Sequence, residues 1–221
     1  MSLRNKYETE LGLVFGKLVD MCRAAERAID ASVKAFLSRD KEAAKKVMEN
    51  DRAIDLKERE IEQDCLKILL MEHPVAGDFR DVSAALKVIT DLERIGDQAA
   101  DISEIALRLE DELFSFVPEA IESMASAVTA MVKDGVDSYI NKDYALARDL
   151  DRRDDRVDNL FIKVKDELIA TVKSHPDAAE EVVMYLMIAK YLERIGDHAV
   201  NIGEWAEYAL TGVHSNEEIK Q

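Results

Sequence analysis

The chain has 221 residues, of which 48% are hydrophobic and 34% are charged, and its formal net charge is −16. This composition supplies enough apolar side chains for a folded core, and its 8 Gly and 3 Pro are too few for the many turns of a β-rich fold. The negative charge would repel the phosphates of nucleic acids, so we expect no direct binding to nucleic acid.

Neither a membrane span nor a secretory signal is recognisable in the sequence. The longest apolar run, residues 182–189, is far shorter than the roughly 20 residues that cross a bilayer. The first residues include early acidic side chains and no long apolar segment, unlike a signal peptide. Cys22 and Cys65 lie within helical patterns without a CxxC spacing, as expected of reduced core residues. We therefore predict a cytoplasmic protein.

Six long helices are predicted in chain order from the apolar periodicity and from the residues that interrupt it. Ser38 or Asp40 can cap the second helix, and Pro118 and Pro176 suit the first turns of the fourth and sixth helices. Long helices joined by short turns must lie antiparallel to bury their apolar stripes. The predicted helices span about residues 3–37, 40–71, 75–112, 118–140, 141–174 and 177–210.

The sequence contains an internal duplication. Residues 93–97, with the sequence ERIGD, return unchanged 100 positions later, and residues 51–55 return in similar form 103 positions later. Two blocks repeated in the same order exceed chance, so the sequence predicts an all-α fold of two tandem antiparallel three-helix bundles. The predicted units are residues 1–115 and 116–221. The sequence leaves open whether these units share one core.

Acidic residues recur at helical spacing in both copies, on the face opposite an apolar stripe. In the third helix the stripe runs from Leu92 to Leu109 in alternating steps of three and four residues, and the sixth helix repeats it from Leu192 to Ala209. The positions on the acidic face are Asp51, Asp55, Glu93, Asp97 and Asp101 in the first copy, and Asp154, Asp158, Glu193, Asp197 and Asn201 in the second.

The acidic positions admit two interpretations. They form either a solvated surface or a site for a cation such as Mg, Mn, Fe or Zn, which carboxylates one helical turn apart can share. Without a cation, like charges at this spacing cost a helix a few tenths of a kcal/mol per pair. Gly96 and Gly196 are unfavourable within helices and indicate the close approach of a neighbouring helix or ligand. Arg94 and Arg194 are expected to pair with the aspartate three residues further on.

Motifs for catalysis are missing from the sequence. No Glu is followed three residues later by His, as in ferritin-like di-iron oxidases, and HExxH, Walker A and Rossmann patterns are absent. His198 adjoins Asp197 and is placed to act as a ligand or a pH-sensitive neighbour, although its counterpart is Gln98. We therefore predict no enzyme, no catalytic residues and no organic cofactor. The alternative is a metal-storage or redox protein with multinuclear carboxylate sites.

The doubled ERIGD block, preceded in each copy by a D-x-x-x-D block, resembles the PhoU family of phosphate-transport regulators. The resemblance extends over nearly the whole chain and includes the duplication, the length and the order of the helices. The hallmark of the family is an E/D-x-x-x-D motif in each half. It stands here as Asp51/Asp55 with Glu93/Asp97, and as Asp154/Asp158 with Glu193/Asp197.

The resemblance implies a negative regulator of phosphate uptake and of phosphate-starvation signalling. Such an adaptor links the ATPase subunit of a phosphate ABC transporter to a phosphate-sensing histidine kinase, and it reaches the membrane only through these partners. The resemblance also implies a homodimer and metal ions on the acidic surface, with iron or zinc expected and Mg or Mn allowed. Because Asn201 stands where the first copy has Asp101, the second site is expected to hold its metal more weakly or to hold fewer ions.

Overall fold

The computed structural model describes residues 3–71, 75–109 and 116–213. These residues form six α-helices and one short 3-10 turn, and no strand occurs among them. The prediction of an all-α fold is therefore confirmed. The helices are α1 (Leu3–Ser38), α2 (Lys41–Met71), α3 (Ala76–Arg108), α4 (Ala120–Asn141), α5 (Tyr144–Ser174) and α6 (Ala179–Thr211).

The turns before α2 and α5 are set by local capping interactions. Asp40 accepts a hydrogen bond of 2.9 Å from a backbone N–H in the first turn of α2, as its capping role predicts. Helix α5 begins at Tyr144 and not at residue 141 as predicted. Lys142 adopts a left-handed conformation with φ 57°, which ends α4, and Asp143 then caps α5 through its carboxylate.

Among the other helix boundaries, three differ from the predicted ones by more than one residue. Helix α3 ends at Arg108, and its predicted end at residue 112 lies outside the described residues. Helix α4 begins two residues after Pro118, and α6 follows a 3-10 turn at Pro176–Ala178. Both prolines therefore precede the regular α-helix and do not lie in its first turn.

The predicted apolar stripes of α3 and α6 form the centre of the core. All twelve stripe residues are buried, and Leu92, Ile95, Leu192 and Ile195 have no exposed surface at all. Side chains at steps of three and four residues lie on one face of a helix, so the apolar periodicity correctly predicted the buried face of each helix.

The two copies share one continuous core, which answers the question that the sequence left open. Helix α3 packs on α6 and α1 packs on α4, so apolar residues of all six helices belong to one cluster. The rings of Phe36 in α1 and Tyr185 in α6 meet edge to face with centroids 5.4 Å apart. Lys142 pairs with Asp81 across the copies at 2.9 Å. Within the described residues, no helix is long and apolar enough to cross a membrane.

Candidate metal site

The first acidic cluster, comprising Asp51, Asp55, Glu93, Asp97 and Asp101, lies along the groove between α2 and α3. Its side chains are partly covered, with 20% of Glu93 and 36% of Asp97 exposed. Burial, followed by the charges of Asp55, Asp97 and Asp101, raises the pKa of Asp51 to about 6. Burial and the neighbouring charge of Asp97 also raise the pKa of Glu93 and of Asp101. The five predicted positions therefore form one electrostatically coupled group.

The second acidic cluster, comprising Asp154, Asp158, Glu193 and Asp197, repeats this arrangement between α5 and α6, whereas the fifth predicted position, Asn201, contacts α3. Burial, followed by the charges of Asp197, Asp158 and Glu193, raises the pKa of Asp154 to about 7. Burial and the charge of Glu193 raise the pKa of Asp197. Asn201 carries no charge, so it supplies an amide oxygen and not a carboxylate at the position of Asp101.

Two glycines allow the aspartates of α2 and α5 to approach the ERIGD helices closely. A Cβ at Gly96 would lie 3.0 Å from Oδ1 of Asp51 and 2.9 Å from Cδ1 of Ile54, and one at Gly196 would lie 2.8 Å from Oδ1 of Asp154. The predicted close approach is therefore confirmed, and the approaching group is a neighbouring helix. At both places the aspartate Oδ1 is buried and has no hydrogen-bond partner within the described part of the chain.

The third position of each acidic series lies at the interface between α3 and α6. Asp101 accepts a hydrogen bond from the hydroxyl of Tyr191. Asn201 Nδ2 donates to Oδ1 of Asp91 at 3.3 Å, and Nδ1 of His198 lies 2.9 Å from the same oxygen. His198 therefore contacts the other copy, which the sequence could not indicate. We call these contacts the inter-repeat interface.

The cationic side chains at the two clusters differ. Arg94 pairs with Asp97 at 3.0 Å, as predicted, and also with Glu93 at 3.4 Å. Arg194 lies near Asp101 of the first copy, where its charge favours the ionised carboxylate. In the second cluster it is Lys190 that pairs with Glu193. The prediction of an equivalent ion pair is thus confirmed for the first copy, while Arg194 contributes to the inter-repeat interface.

Two carboxylates that the sequence analysis did not select also adjoin the clusters. The pKa of Asp151 is raised by burial and by the charge of Glu204, and Asp151 also acts on Asp154. In the first copy, burial and nearby carboxylates including Asp55 raise the pKa of Glu58. Asp151 stands three residues before Asp154, so helical spacing within α5 would have indicated it. It has no acidic counterpart in the first copy, which is why comparison of the copies missed it.

The donor types in these grooves suit hard cations. As the side chains stand, no three His, Cys, Asp or Glu residues of segments 3–71, 75–109 and 116–213 lie close enough together to hold a metal ion. The unpaired buried oxygens of Asp51 and Asp154 nevertheless fit oxygen-liganded ions such as Mg, Mn or Fe, and fit zinc less well, because zinc usually takes nitrogen or sulfur ligands. Rotation of the exposed carboxylates would have to complete either site.

Comparison with known proteins places this architecture in a family. The sequence model of the PhoU domain matches the chain twice, over residues 18–106 and 121–206. This chain belongs to the PhoU family. A phosphate-specific transport system accessory protein PhoU homolog from Clostridium acetobutylicum is 32% identical over 210 residues, which cover 95% of this chain and 96% of that protein. A protein of the same name from Borreliella burgdorferi is 33% identical over 220 residues, or 97% and 99% of the two chains.

Solved PhoU structures share the fold over almost the full length. The crystal structure of PhoU from Pseudomonas aeruginosa superposes with a TM-score of 0.86 at 32% identity, and covers 94% of this chain and all of that one (100%). The phosphate transport system regulatory protein PhoU from Streptococcus pneumoniae gives a TM-score of 0.88 at 25% identity, with coverage of 94% and 98%. The prediction of duplicated three-helix bundles with a PhoU-like fold is confirmed.

Proposed function

We propose that this chain is an accessory protein of the phosphate-specific transport system and a negative regulator of phosphate uptake and phosphate-starvation signalling. The observation that carries the proposal is the end-to-end similarity to accessory proteins of that system, over 95% of this chain in the relative from Clostridium acetobutylicum. The protein acts by binding and not by catalysis, as a cytoplasmic adaptor.

As an adaptor, the protein contacts the ATPase subunit of the phosphate transporter and a phosphate-sensing histidine kinase. Two distinct surfaces support simultaneous contacts. One is the acidic surface of α2, α3, α5 and α6, and the other is a groove of about 510 Å³ between α1 and α4, whose lining includes Arg27, Lys34, Glu122 and Lys133. Membrane association then occurs only through these partners. A homodimer is also part of the proposal, and the mass of the protein in solution tests it.

Metal binding at the acidic clusters forms the second part of the proposal. The buried, unpaired oxygens of Asp51 and Asp154 would anchor an ion in each groove, and the remaining carboxylates would complete its ligands. An ion bound there neutralises several carboxylates and so alters the charge that a partner meets. The oxygen donors favour iron, manganese or magnesium.

Deletion of the gene tests the regulatory proposal. Cells without the protein should express phosphate-starvation genes in phosphate-rich medium, and the wild-type gene supplied in trans should restore repression. Unchanged expression in the deletion strain would contradict negative regulation. Loss of repression that required oxygen or peroxide would instead support the metal-storage or redox alternative.

Elemental analysis tests the metal proposal. Purified wild-type protein should carry metal that Glu93→Ala/Asp97→Ala reduces by about the content of one cluster. A matched control is Glu60→Ala/Asp64→Ala, an acidic pair at the same spacing that Lys17 already binds outside the clusters. Equal metal loss from the control and the cluster variant would show adventitious binding to exposed carboxylates.

A further inference from the structure

Four large apolar side chains of the second copy are exposed beside the second acidic cluster. They are Ile162 and Ile169 of α5, with 47% and 48% of their surface exposed, and Val183 and Met187 of α6, with 60% and 41% exposed. We call these four residues the α5/α6 apolar strip. A single exposed apolar side chain is common on a protein surface. A group of them on two adjacent helices is unusual and indicates an interaction surface.

By helical spacing the four residues lie on the outer side of the α5/α6 pair, with Met187 on the flank toward α3, one turn before Tyr191. Ile162 and Ile169 are seven residues, or two turns, apart on one face, and Val183 and Met187 are one turn apart. The level of the two antiparallel helices is set where Lys190 lies over the ring of Phe161, 5.7 Å from its centroid. Ile169 stands eight residues after Phe161 and Val183 stands seven residues before Lys190, so the two side chains are at nearly the same height.

Leu186 connects the two halves of the strip. It is partly buried against the core and stands one heptad before Glu193, so helical spacing places it on the side of α6 that faces the α5/α6 groove. The strip is thus an apolar patch extending across the groove and not four separate side chains. Lys190 itself marks the border between the patch and the acidic residues, since it pairs with Glu193.

Acidic residues continue the same surface toward the N-terminal end of α5. Asp158 stands one turn before Ile162, and Asp154 and Asp151 follow at the next turn. From Asp151 to Ile169 the surface extends along about five turns of α5, or about 27 Å at 1.5 Å per residue. One end of this surface is apolar and the other is negatively charged.

The first copy shows that the fold does not require the apolar strip. By the offsets of the duplication, Ile162 and Ile169 correspond to Arg59 and Leu66, and Val183 and Met187 correspond to Ser83 and Lys87. Three of the four positions are polar or charged in the first copy, although both copies fold alike. The apolar side chains therefore serve something other than folding.

We infer that the α5/α6 apolar strip and the metal-free form of the second acidic cluster together bind one helix of a partner protein, about five turns long, with apolar residues at one end and Lys or Arg at the other. This inference rests on the proposed adaptor function and names the chemistry of one partner. Charge complementarity selects this occupant. A second copy of the chain would bring another acidic cluster to the same surface, and an anionic membrane would be repelled by the net charge of −16.

A synthetic peptide tests the inference directly. The probe is a fluorescent helical 18-residue peptide with leucines in one half and lysines and arginines in the other, titrated at physiological salt in the presence of a chelator, which keeps the acidic clusters free of metal. Wild-type protein should bind it, and a peptide with glutamate in place of every lysine and arginine should not bind. The variant Ile169→Glu/Val183→Glu should weaken binding of the basic peptide at least tenfold.

The matched control is Leu13→Glu/Leu56→Glu, which adds the same charge at side chains that are 58% and 54% exposed in the first copy. It should bind the basic peptide at least as well as wild type. Equal weakening in both variants, binding of the acidic peptide, or no binding of the basic peptide would each overturn the inference. So would a dimer in sedimentation that Ile169→Glu/Val183→Glu dissociates, or binding to anionic phosphatidylserine vesicles. None of these outcomes depends on gene expression, so the deletion experiment tests the adaptor function separately.

Discussion

The two acidic clusters have the same arrangement but differ in the pKa of their partly buried aspartates, Asp51 in the first and Asp154 in the second. Asp51 has a pKa raised to about 6, whereas Asp154 has one raised to about 7. The additional carboxylate of Asp151 acts on Asp154, whereas both clusters have a neighbouring cation, Arg94 in the first and Lys190 in the second. Both copies therefore contain the same kind of acidic groove, but the charges around the partly buried aspartate differ between them.

The copies differ most at the inter-repeat interface. There the first copy supplies Asp91 and Asp101, and the second supplies Tyr191 and Asn201 at the equivalent positions. Each carboxylate thus meets a hydrogen-bond donor of the other copy. The substitution of Asn201 for Asp101, which the sequence alone suggests is a weakened metal ligand, also has a structural role, because a carboxylate there would face Asp91.

The largest expected effect comes from making the second copy resemble the first at this interface. Asn201→Asp would place a second carboxylate about 3.3 Å from Oδ1 of Asp91. We expect the free energy of unfolding to fall by about 1–3 kcal/mol at pH 8 and by less at pH 4.5. The reciprocal variant Asp101→Asn retains an acceptor for the Tyr191 hydroxyl. It should change the free energy of unfolding by less than about 0.5 kcal/mol. Urea denaturation of both variants measures the difference, and equal losses would refute the role given to Asn201.

The two ERIGD glycines should respond unequally to alanine. In Gly96→Ala the new Cβ meets Cδ1 of Ile54 at 2.9 Å and Oδ1 of Asp51 at 3.0 Å, so these two packed side chains of α2 must move. In Gly196→Ala it meets Oδ1 of Asp154 at 2.8 Å, and its next neighbours lie at 3.6 Å. We expect Gly96→Ala to cost about 1–2 kcal/mol of unfolding free energy. For Gly196→Ala, the gain of about 1 kcal/mol in helix propensity should offset most of the cost.

Thermal and urea unfolding of the two alanine variants give the comparison. Gly12→Ala is a suitable control, because no atom lies within 4 Å of the added Cβ, and it should be stabilising through helix propensity alone. A larger loss for Gly196→Ala than for Gly96→Ala would contradict the packing described for the grooves.

The raised pKa values predict a pH dependence that distinguishes the clusters. An aspartate whose folded-state pKa is raised binds its proton more tightly when folded, so its ionisation destabilises the protein. For Asp154 this cost develops between about pH 4 and pH 7, and for Asp51 between about pH 4 and pH 6. At pH 8 in chelator, Asp154→Asn should raise the unfolding free energy by on the order of 1–2 kcal/mol, and Asp51→Asn by less.

Urea denaturation from about pH 3 to about pH 8 provides the measurement. The stabilisation by Asp154→Asn should shrink as the pH falls and vanish at about pH 3, because Asp154 is then protonated in both the folded and the unfolded state. A stabilisation that persisted unchanged at that pH would show that ionisation of Asp154 is not its cause.

The smallest expected effect concerns the cations beside the clusters. Arg94→Ala removes an exposed intrahelical pair with Asp97 and should cost about 0.2–0.5 kcal/mol of unfolding free energy. Arg194→Ala should instead raise the pKa of Asp101 further, since the charge of Arg194 now favours its ionised form. Carboxyl chemical shifts in an NMR titration measure that pKa. An unchanged pKa of Asp101 in Arg194→Ala would show that Arg194 does not act at the inter-repeat interface.

The sequence was sufficient for the fold because the signals are local and repeated. The apolar stripe from Leu92 to Leu109 predicts which side of α3 is buried, and that side is buried in the structure. The recurrence of the stripe in α6 predicts a second bundle. The ERIGD glycines indicated a close helix contact for the same reason. Helix ends were less predictable, because single residues such as Lys142 and Asp143 decide them through backbone conformation and capping.

The contacts between the copies could not be read from the sequence. Periodicity shows that Asp91 and His198 are on partly exposed faces, but it does not show that these faces meet, because the residues are 107 positions apart. The same holds for Tyr191 and Asp101. The acidic grooves were predictable as residue sets, whereas the pKa of Asp154 depends on burial that only the folded chain provides.

The unequal residues of the inter-repeat interface bear on how the chain assembles itself. If two first copies from different molecules paired through α3, Asp91 of one would face Asp101 of the other, and two unscreened carboxylate pairs would result. Pairing of a first copy with a second copy instead matches each carboxylate with Tyr191, His198 or Asn201. The interface therefore disfavours the pairing of two first halves from different molecules and favours the pairing of a first half with a second half.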